Sequence, residues 1–408
     1  MTLRAVLVAI LIAVCEPSWA AHGARPTSKV TEVPLTFYVV KGAPDSCGAG
    51  CDSWIAAEGT IDSGAAPRFR KFLRQAGNRN LPIYFFSPGG NLDQALAMGA
   101  MLREKPVVAR VARTVVRECG FEAQDSAVCV KLKQSSRELH GDLYTRSAIC
   151  NSACPYLILG ATTREIAPDA ILGVHSPKVV LSFRGGAAPT PQMRSDATQR
   201  GLDRADHMLS SYIVRMGADI GLLGLVHTIK FEEIHVLTRE EMARFGIDRR
   251  ERAETPWQFE NASRSMVLKT VTHKNERDQS YRLLQWRLIC LDTDRFELDF
   301  QRPTAVSAVF PSVLMSNGGA ASLYLKSIPL KSQGLEFWGL QVNKASVRAL
   351  AESPQFELTE TSQGGDGRRS SRTSKFSSEG LAGALDSLSA TCPQPKSMAI
   401  GSRDSAAR

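Results

Sequence analysis

Ala148-Ile149-Cys150-Asn151-Ser152-Ala153-Cys154-Pro155-Tyr156-Leu157-Ile158-Leu159-Gly160 is a turn of small residues that runs directly into an apolar segment of helical length. A serine where a strand gives way to a helix can present its hydroxyl at the top of a sheet, while the following backbone N–H groups face whatever binds there. Ser152 therefore offers a nucleophile and Ala153 one donor of an oxyanion hole. The plainer reading of Ser152 is a helix N-cap, the usual role of a serine before an apolar run. Upstream, residues 81–91 (Leu-Pro-Ile-Tyr-Phe-Phe-Ser-Pro-Gly-Gly-Asn) read as a short buried strand broken by Pro-Gly-Gly, and helical spacing resumes from Leu92 to Leu102. The paired glycines let a backbone N–H approach a ligand oxygen with no side chain between. Downstream, the apolar strand Ile171-Leu172-Gly173-Val174 ends on His175. The interval from Ser152 to His175 holds one helix, a turn and a strand. The two residues can thus meet at the same end of neighbouring parallel strands, with the imidazole as general base.

Together these pieces resemble the ClpP/crotonase superfamily, in particular ClpP-type serine peptidases and their secreted bacterial relatives. Ser87-Pro88-Gly89-Gly90 matches the strand end of that pattern, and Asn151-Ser152-Ala153 followed by Leu157-Ile158-Leu159 matches its nucleophile segment. Arg164, Pro168 and Ile171 to Pro177 match the segment that closes on His-x-Pro. The resemblance covers roughly residues 30 to 250. It implies a core of stacked β-β-α turns, with Ser152 as nucleophile, His175 as base, and the Gly90 and Ala153 N–H groups holding the oxyanion. In that family an aspartate precedes a segment like Val236 to Asp248, but Ile234 and His235 stand there instead. Glu233 or Glu232 is then the candidate acid, and Lys178 or Lys230 the candidate for a Ser-Lys dyad. The resemblance implies peptide or unfolded-protein substrates and assembly into homo-oligomers, with no cofactor and no metal.

The order strand (Leu35 to Val40), strand (Trp54 to Ile61), helix (Pro67 to Gln75), the Tyr84 strand, helix and strand (Val107 to Val116) predicts an α/β fold with parallel pairing and right-handed crossovers. A polar loop, Gly120 to Glu138, is expected to overhang the site, and a core-facing helix is expected from Leu202 to Met216. Residues 251–260 read as a linker. Beyond them, short runs such as Arg282 to Cys290, Phe296 to Phe300 and Leu335 to Gln341 predict a smaller, mainly antiparallel β domain over 261–408, closed by an amphipathic helix from Glu379 to Leu388. Within it the Gly/Ser/Arg-rich stretch 361–378 reads as a disordered loop, and His273 as an exposed histidine.

Residues 1–20 have the make-up of a Sec-type signal peptide: Arg4, an apolar run from Ala5 to Val14, and Ser18-Trp19-Ala20 as a cleavage site. No later segment is apolar for the length of a bilayer. Domains 21–250 and 261–408 then fit a length of 408 residues and a hydrophobic content of 43%. Removal of the leader takes Cys15 and leaves eight of nine cysteines, an even number that favours disulfides in a periplasmic or secreted chain. Cys47 with Cys51, Cys119 with Cys129, and Cys290 with Cys392 are candidate pairs. Cys150 and Cys154 either bond to each other, bond elsewhere, or stay reduced. No pair has the spacing of a zinc site. A formal net charge of +9 is scattered along the chain, and no aromatic-interleaved basic groove points to nucleic acid.

Overall fold

The central strands of the N-terminal part bury both faces, so their sequences read as continuous apolar runs rather than alternations. In Ser53–Glu58 (β2), Ile55 and Ala57 point into one apolar cluster, and Trp54 and Ala56 into another. The computed structural model describes residues 33–392 except 49, 78–79, 136, 182–187, 262–264, 276–277, 305–311, 318–321, 326–328 and 364–367. The expected signal peptide and Cys15 lie outside the described residues.

Thr36–Lys41 (β1) pairs with β2 in antiparallel register. The helix Ala65–Ala76 (α1) follows, then Ile83–Phe86 (β3), Leu92–Arg103 (α2), Val108–Val111 (β4) and Arg113–Val116 (β5). Ala127–Lys133 (α3), Leu139–Tyr144 (β6), Ile149–Asn151 (β7), Cys154–Leu159 (α4), Thr163–Glu165 (β8) and Ile171–Val174 (β9) come next. One sheet has the order β5-β6-β1-β2-β3-β4-β8. Its β2-β3-β4-β8 run is parallel and its β1-β2 and β5-β6 pairs are antiparallel. β7 and β9 are parallel neighbours in a second sheet, whose edge is His235–Val236 (β10). Around them pack Pro191–Arg215 (α5), Gly221–Thr228 (α6) and Arg239–Arg244 (α7). Asp248, 2% exposed, accepts from the Ile166 N–H at 2.8 Å. Burial opposes its charge, but the Arg239 and Arg250 guanidiniums hold the carboxyl well below the usual range.

Two expectations fail in this half. The single strand over 107–116 bends at Ala112, because β4 runs parallel to β3 while β5 turns to pair with β6. The 120–138 segment does not line the site; it folds as α3, tied by the Cys119–Cys129 disulfide, and buries Lys133 against Glu58 at 2.9 Å.

The C-terminal part is built on Arg252–Glu254 (β11), Gln258–Glu260 (β12), Met266–Lys274 (β13), Tyr281–Cys290 (β14), Arg295–Pro303 (β15), Ser312–Ser316 (β16) and Ser322–Leu325 (β17). Leu330–Ser332 (β18), Leu335–Asn343 (β19), Lys344–Ala351 (α8), Gln355–Gln363 (β20), Arg369–Ser377 (β21) and Leu381–Thr391 (α9) complete it. Trp286, Phe300, Trp338, Phe356 and Phe376 form its apolar centre. The expected linker is part of the sheet: β11 and β12 both pair with β13. Of the stretch expected to be disordered, 361–363 end β20 and 369–377 form β21, while 364–367 lie outside the described residues. Antiparallel pairing with β20 satisfies the β21 backbone and sets Arg372 opposite Glu360 and Lys375 opposite Glu357. His273 is half-buried rather than exposed, and its pKa is lowered to about 4 by burial and by the surrounding Arg372, Arg252, Arg282 and Arg302. The Cys290–Cys392 disulfide pins the end of α9 to β14.

Asp169 lies before β9, and burial raises its carboxyl to about 6, with Glu260 adding to the effect and Thr145 and Arg146 opposing it. Its Oδ1 is buried without a hydrogen-bond partner. Because the folded pKa lies above the unfolded value of roughly 4, the native state binds the extra proton, and stability falls as pH rises from about 4 to about 6. Asp169→Asn is expected to remove that slope and to raise stability at pH 7 by on the order of 2 kcal/mol. Urea titrations of both proteins at pH 4, 5, 6 and 7 measure it; parallel curves would refute it.

Candidate active site

After β3 the chain turns through Ser87-Pro88-Gly89-Gly90 into α2. Gly89 and Gly90 have φ of 102° and 135°, a region where a Cβ is disfavoured. A Cβ on Gly89 would lie 2.5 Å from both the Ser152 Cβ and the Asn151 carbonyl oxygen, so only glycine lets the two turns touch. Gly89 O accepts from the Ile61 N–H at 2.8 Å, and the Asn91 N–H donates to Ile61 O at 2.6 Å. This bridge uses the residues on either side of Gly90, which leaves the Gly90 N–H facing away from Ile61.

The second turn is fixed to the first by two bonds, Ser87 N–H to Ile149 O at 2.8 Å and Asn151 N–H to Ser87 O at 3.0 Å. Ser152 itself has φ 60°, a left-handed conformation that costs a residue with a Cβ about 1–2 kcal/mol. Its N–H donates to Gly173 O at 2.8 Å. The expected N-cap role is not realised, since α4 is capped at Ala153 with no side-chain hydrogen bond. Cys150 and Cys154, both fully buried, bond to each other across a Cα separation of 5.2 Å and so bracket Ser152. Cys47–Cys51, Cys119–Cys129 and Cys290–Cys392 are also bonded.

Parallel register sets Asn151 opposite Gly173. Ser152 and His175 therefore leave the C-terminal ends of adjacent strands. Both line a cavity of about 650 Å³, with Gly90 and Ala153 also on its wall. His175 is 9% exposed, and its Nδ1 lies 2.8 Å from Ser176 O. A carbonyl only accepts, so Nδ1 carries the proton and the Nε2 lone pair is available to take one. Ser176 is held in turn: its N–H donates to Ile229 O at 3.0 Å and its hydroxyl to Val226 O at 3.0 Å. The C-terminal end of α6 thus sets the imidazole. Phe231 meets it edge-on, with ring centroids 4.9 Å apart and planes at 78°.

Among the candidate acids, the Glu233 side chain is 60% exposed and pairs with Lys230 Nζ at 3.9 Å. Glu232 is exposed. Neither makes a hydrogen bond or ion pair with His175 among the described residues, and the Nδ1 position is already occupied. Lys230 is 79% exposed, and Lys178 lines the cavity with Nζ 4.8 Å from the centre of the Phe231 ring. Sequence reasoning missed Ser176 and Phe231. A main-chain acceptor leaves no trace in residue type, and Phe231 stands out only as the aromatic within Lys230-Phe231-Glu232-Glu233. Among the described residues no group of three or more His, Cys, Asp or Glu is placed to hold a metal ion.

The chain is a mixed α/β protein with several sheets, four disulfides and, among the described residues, no helix long and apolar enough to cross a membrane. No protein-family model matches it, and no curated protein matches it. Solved structures similar to it include invasion associated protein b from Bartonella henselae, at 14% identity over 33% of this chain and 92% of that one, with a TM-score of 0.27. Another is a mutant of a membrane-bound stomatin-specific protease, at 17% identity over 47% of this chain and 75% of that one, with a TM-score of 0.28.

Proposed function

We propose that the protein is an exported serine hydrolase of peptidase type, built on a ClpP/crotonase-like region over 33–250 and carrying a β-rich module that begins at β11. Ser152 Oγ attacks a substrate carbonyl, His175 Nε2 takes its proton and later delivers it to the leaving group, and the Gly90 and Ala153 N–H groups hold the oxyanion. We assign the orienting role expected of Glu233 to the Ser176 carbonyl, which fixes the same tautomer without a charge. The observation that carries the reading is the meeting of these four residues on one cavity, with His175 Nδ1 already committed to an acceptor. The disulfides support action in an oxidising compartment, periplasmic or extracellular, on peptides or unfolded chains without an ATP-driven partner. Self-assembly of the chain is part of the same reading.

Fluorophosphonate labelling of the oxidised protein tests it. A stoichiometric adduct on Ser152 by intact mass, absent in Ser152→Ala, is expected. The Glu232→Ala and Glu233→Ala variants should label within about threefold of wild type, because neither side chain touches the imidazole. A tenfold loss in either would return the role to that carboxylate. A neutral acceptor gives the imidazolium less support than a carboxylate does, and that favours a second reading: a cleft that binds an envelope partner without turnover. Absence of any adduct on folded protein would select it.

A further inference from the structure

The cavity beside Ser152 has a charge pattern of its own. One face of α5 forms a wall: Arg204, Ala205, Met208 and Leu209 recur at helical spacing along it. Arg204 makes no ion pair and no hydrogen bond among the described residues. The acidic side chains near it on α5 are engaged elsewhere, Asp203 accepting from Gln199 Nε2 at 2.9 Å and Asp206 lying 2.9 Å from His227 Nε2. Lys178 adds a second cation to the lining. Among the described lining residues the one carboxylate, Asp93, sits in the first turn of α2, where the helix N–H groups offset its charge. Tyr156 also lines the cavity. It is 4% exposed, and its hydroxyl is buried without a partner, whereas the adjacent Tyr212 hydroxyl donates to Tyr156 O at 2.8 Å. Burial together with Asp206 pushes the Tyr156 phenol far above its ordinary pKa, so it remains a neutral donor. A buried donor with no acceptor is costly, and an oxygen arriving with a ligand would relieve that cost.

We propose that this cavity selects peptides carrying a carboxylate side chain in the segment bound beside Ser152, and that Arg204 and the Tyr156 hydroxyl receive it. Arg204 supplies the preference for charge and Tyr156 the preference for an oxygen acceptor over an apolar isostere. The proposal deepens the peptidase reading, but the binding part does not require turnover.

The test uses the oxidised full chain as Ser152→Ala and measures equilibrium binding of fluorescent acetyl-Ala-Ala-X-Ala-Ala-amide peptides, with X glutamate, glutamine or norleucine. Glutamate is expected to bind at least tenfold more tightly than norleucine, with glutamine between them. Arg204→Gln should bring glutamate down to glutamine, and Arg204→Lys should restore part of the gap. Tyr156→Phe should narrow the distance of both polar peptides from norleucine, with an unchanged circular dichroism spectrum. Equal binding of the three, a preference for norleucine, no binding at millimolar peptide, or a preference that survives both substitutions would overturn it. Labelling of the Ser152 chain separates the two ideas. An adduct without glutamate preference removes the specificity and leaves the hydrolase, and a preference without an adduct does the reverse.

Discussion

If the proposed hydrolase reading holds, His175→Ala is expected to slow fluorophosphonate labelling of Ser152, and any ester or peptide hydrolysis the protein carries out, by about 10²–10⁴-fold. In the proposed reading the Nε2 lone pair of His175, which lines the same cavity as Ser152, is the base. Lys178 is turned onto Phe231. Residual reactivity should persist, because the Gly90 and Ala153 N–H groups and the strained serine backbone are untouched. His175→Gln, which keeps a polar group of similar reach, should be as slow as alanine. A labelling rate within threefold of wild type in either variant would remove His175 from the mechanism.

The second large effect concerns the disulfide around Ser152. Ser152 is held at φ 60° by its N–H bond to Gly173 O, by the contact with Gly89 and by the Cys150–Cys154 bridge that closes over it. Closing so short a loop stabilises the fold by only about 2 kcal/mol in the chain-entropy account, against about 4–5 kcal/mol for a loop of about a hundred residues such as Cys290–Cys392. The left-handed serine, however, stores about 1–2 kcal/mol that the bridge helps to contain. Cys150→Ala/Cys154→Ala should therefore lose labelling by tenfold or more with a small drop in melting temperature. Cys290→Ala/Cys392→Ala should lose more thermal stability and keep labelling near wild type. If the two double variants lost reactivity in proportion to stability, the bridge would be a general staple and not a support for the site.

What was legible in the residues was the order of elements and the two turns. Pro88-Gly89-Gly90 and the small residues around Ser152 have few roles other than close backbone approach, and the structure uses both for it. The β14, β15 and β19 strands were read from alternation, and α2 from helical spacing. The failures have physical causes. β21 is mostly Ser, Arg, Thr and Lys, which lack the apolar content of a strand; what holds it is its ladder with β20 and the one buried aromatic, Phe376 stacked on Phe356, both long-range facts. β11 and β12 were hidden because a proline between charged residues resembles a linker until β13 offers them a partner. The acid was sought among carboxylates near residue 233 because side chains are what a sequence displays. The acceptor found at Nδ1 belongs to the main chain.

That last point bears on how the site tolerates change. An orienting carboxylate can be lost by a single substitution, but the carbonyl of Ser176 is present whatever residue stands there. Substitution at 176 therefore keeps the acceptor and the N–H bond to Ile229 O unless it is to proline, and gives up only the hydroxyl bond to Val226 O, which threonine can retain. The vulnerability moves to α6, whose end fixes the carbonyl's position. Variation that shifts Val226 or Ile229 would misalign a base that neither residue touches, so damage to this site would first appear in a helix with no chemistry of its own.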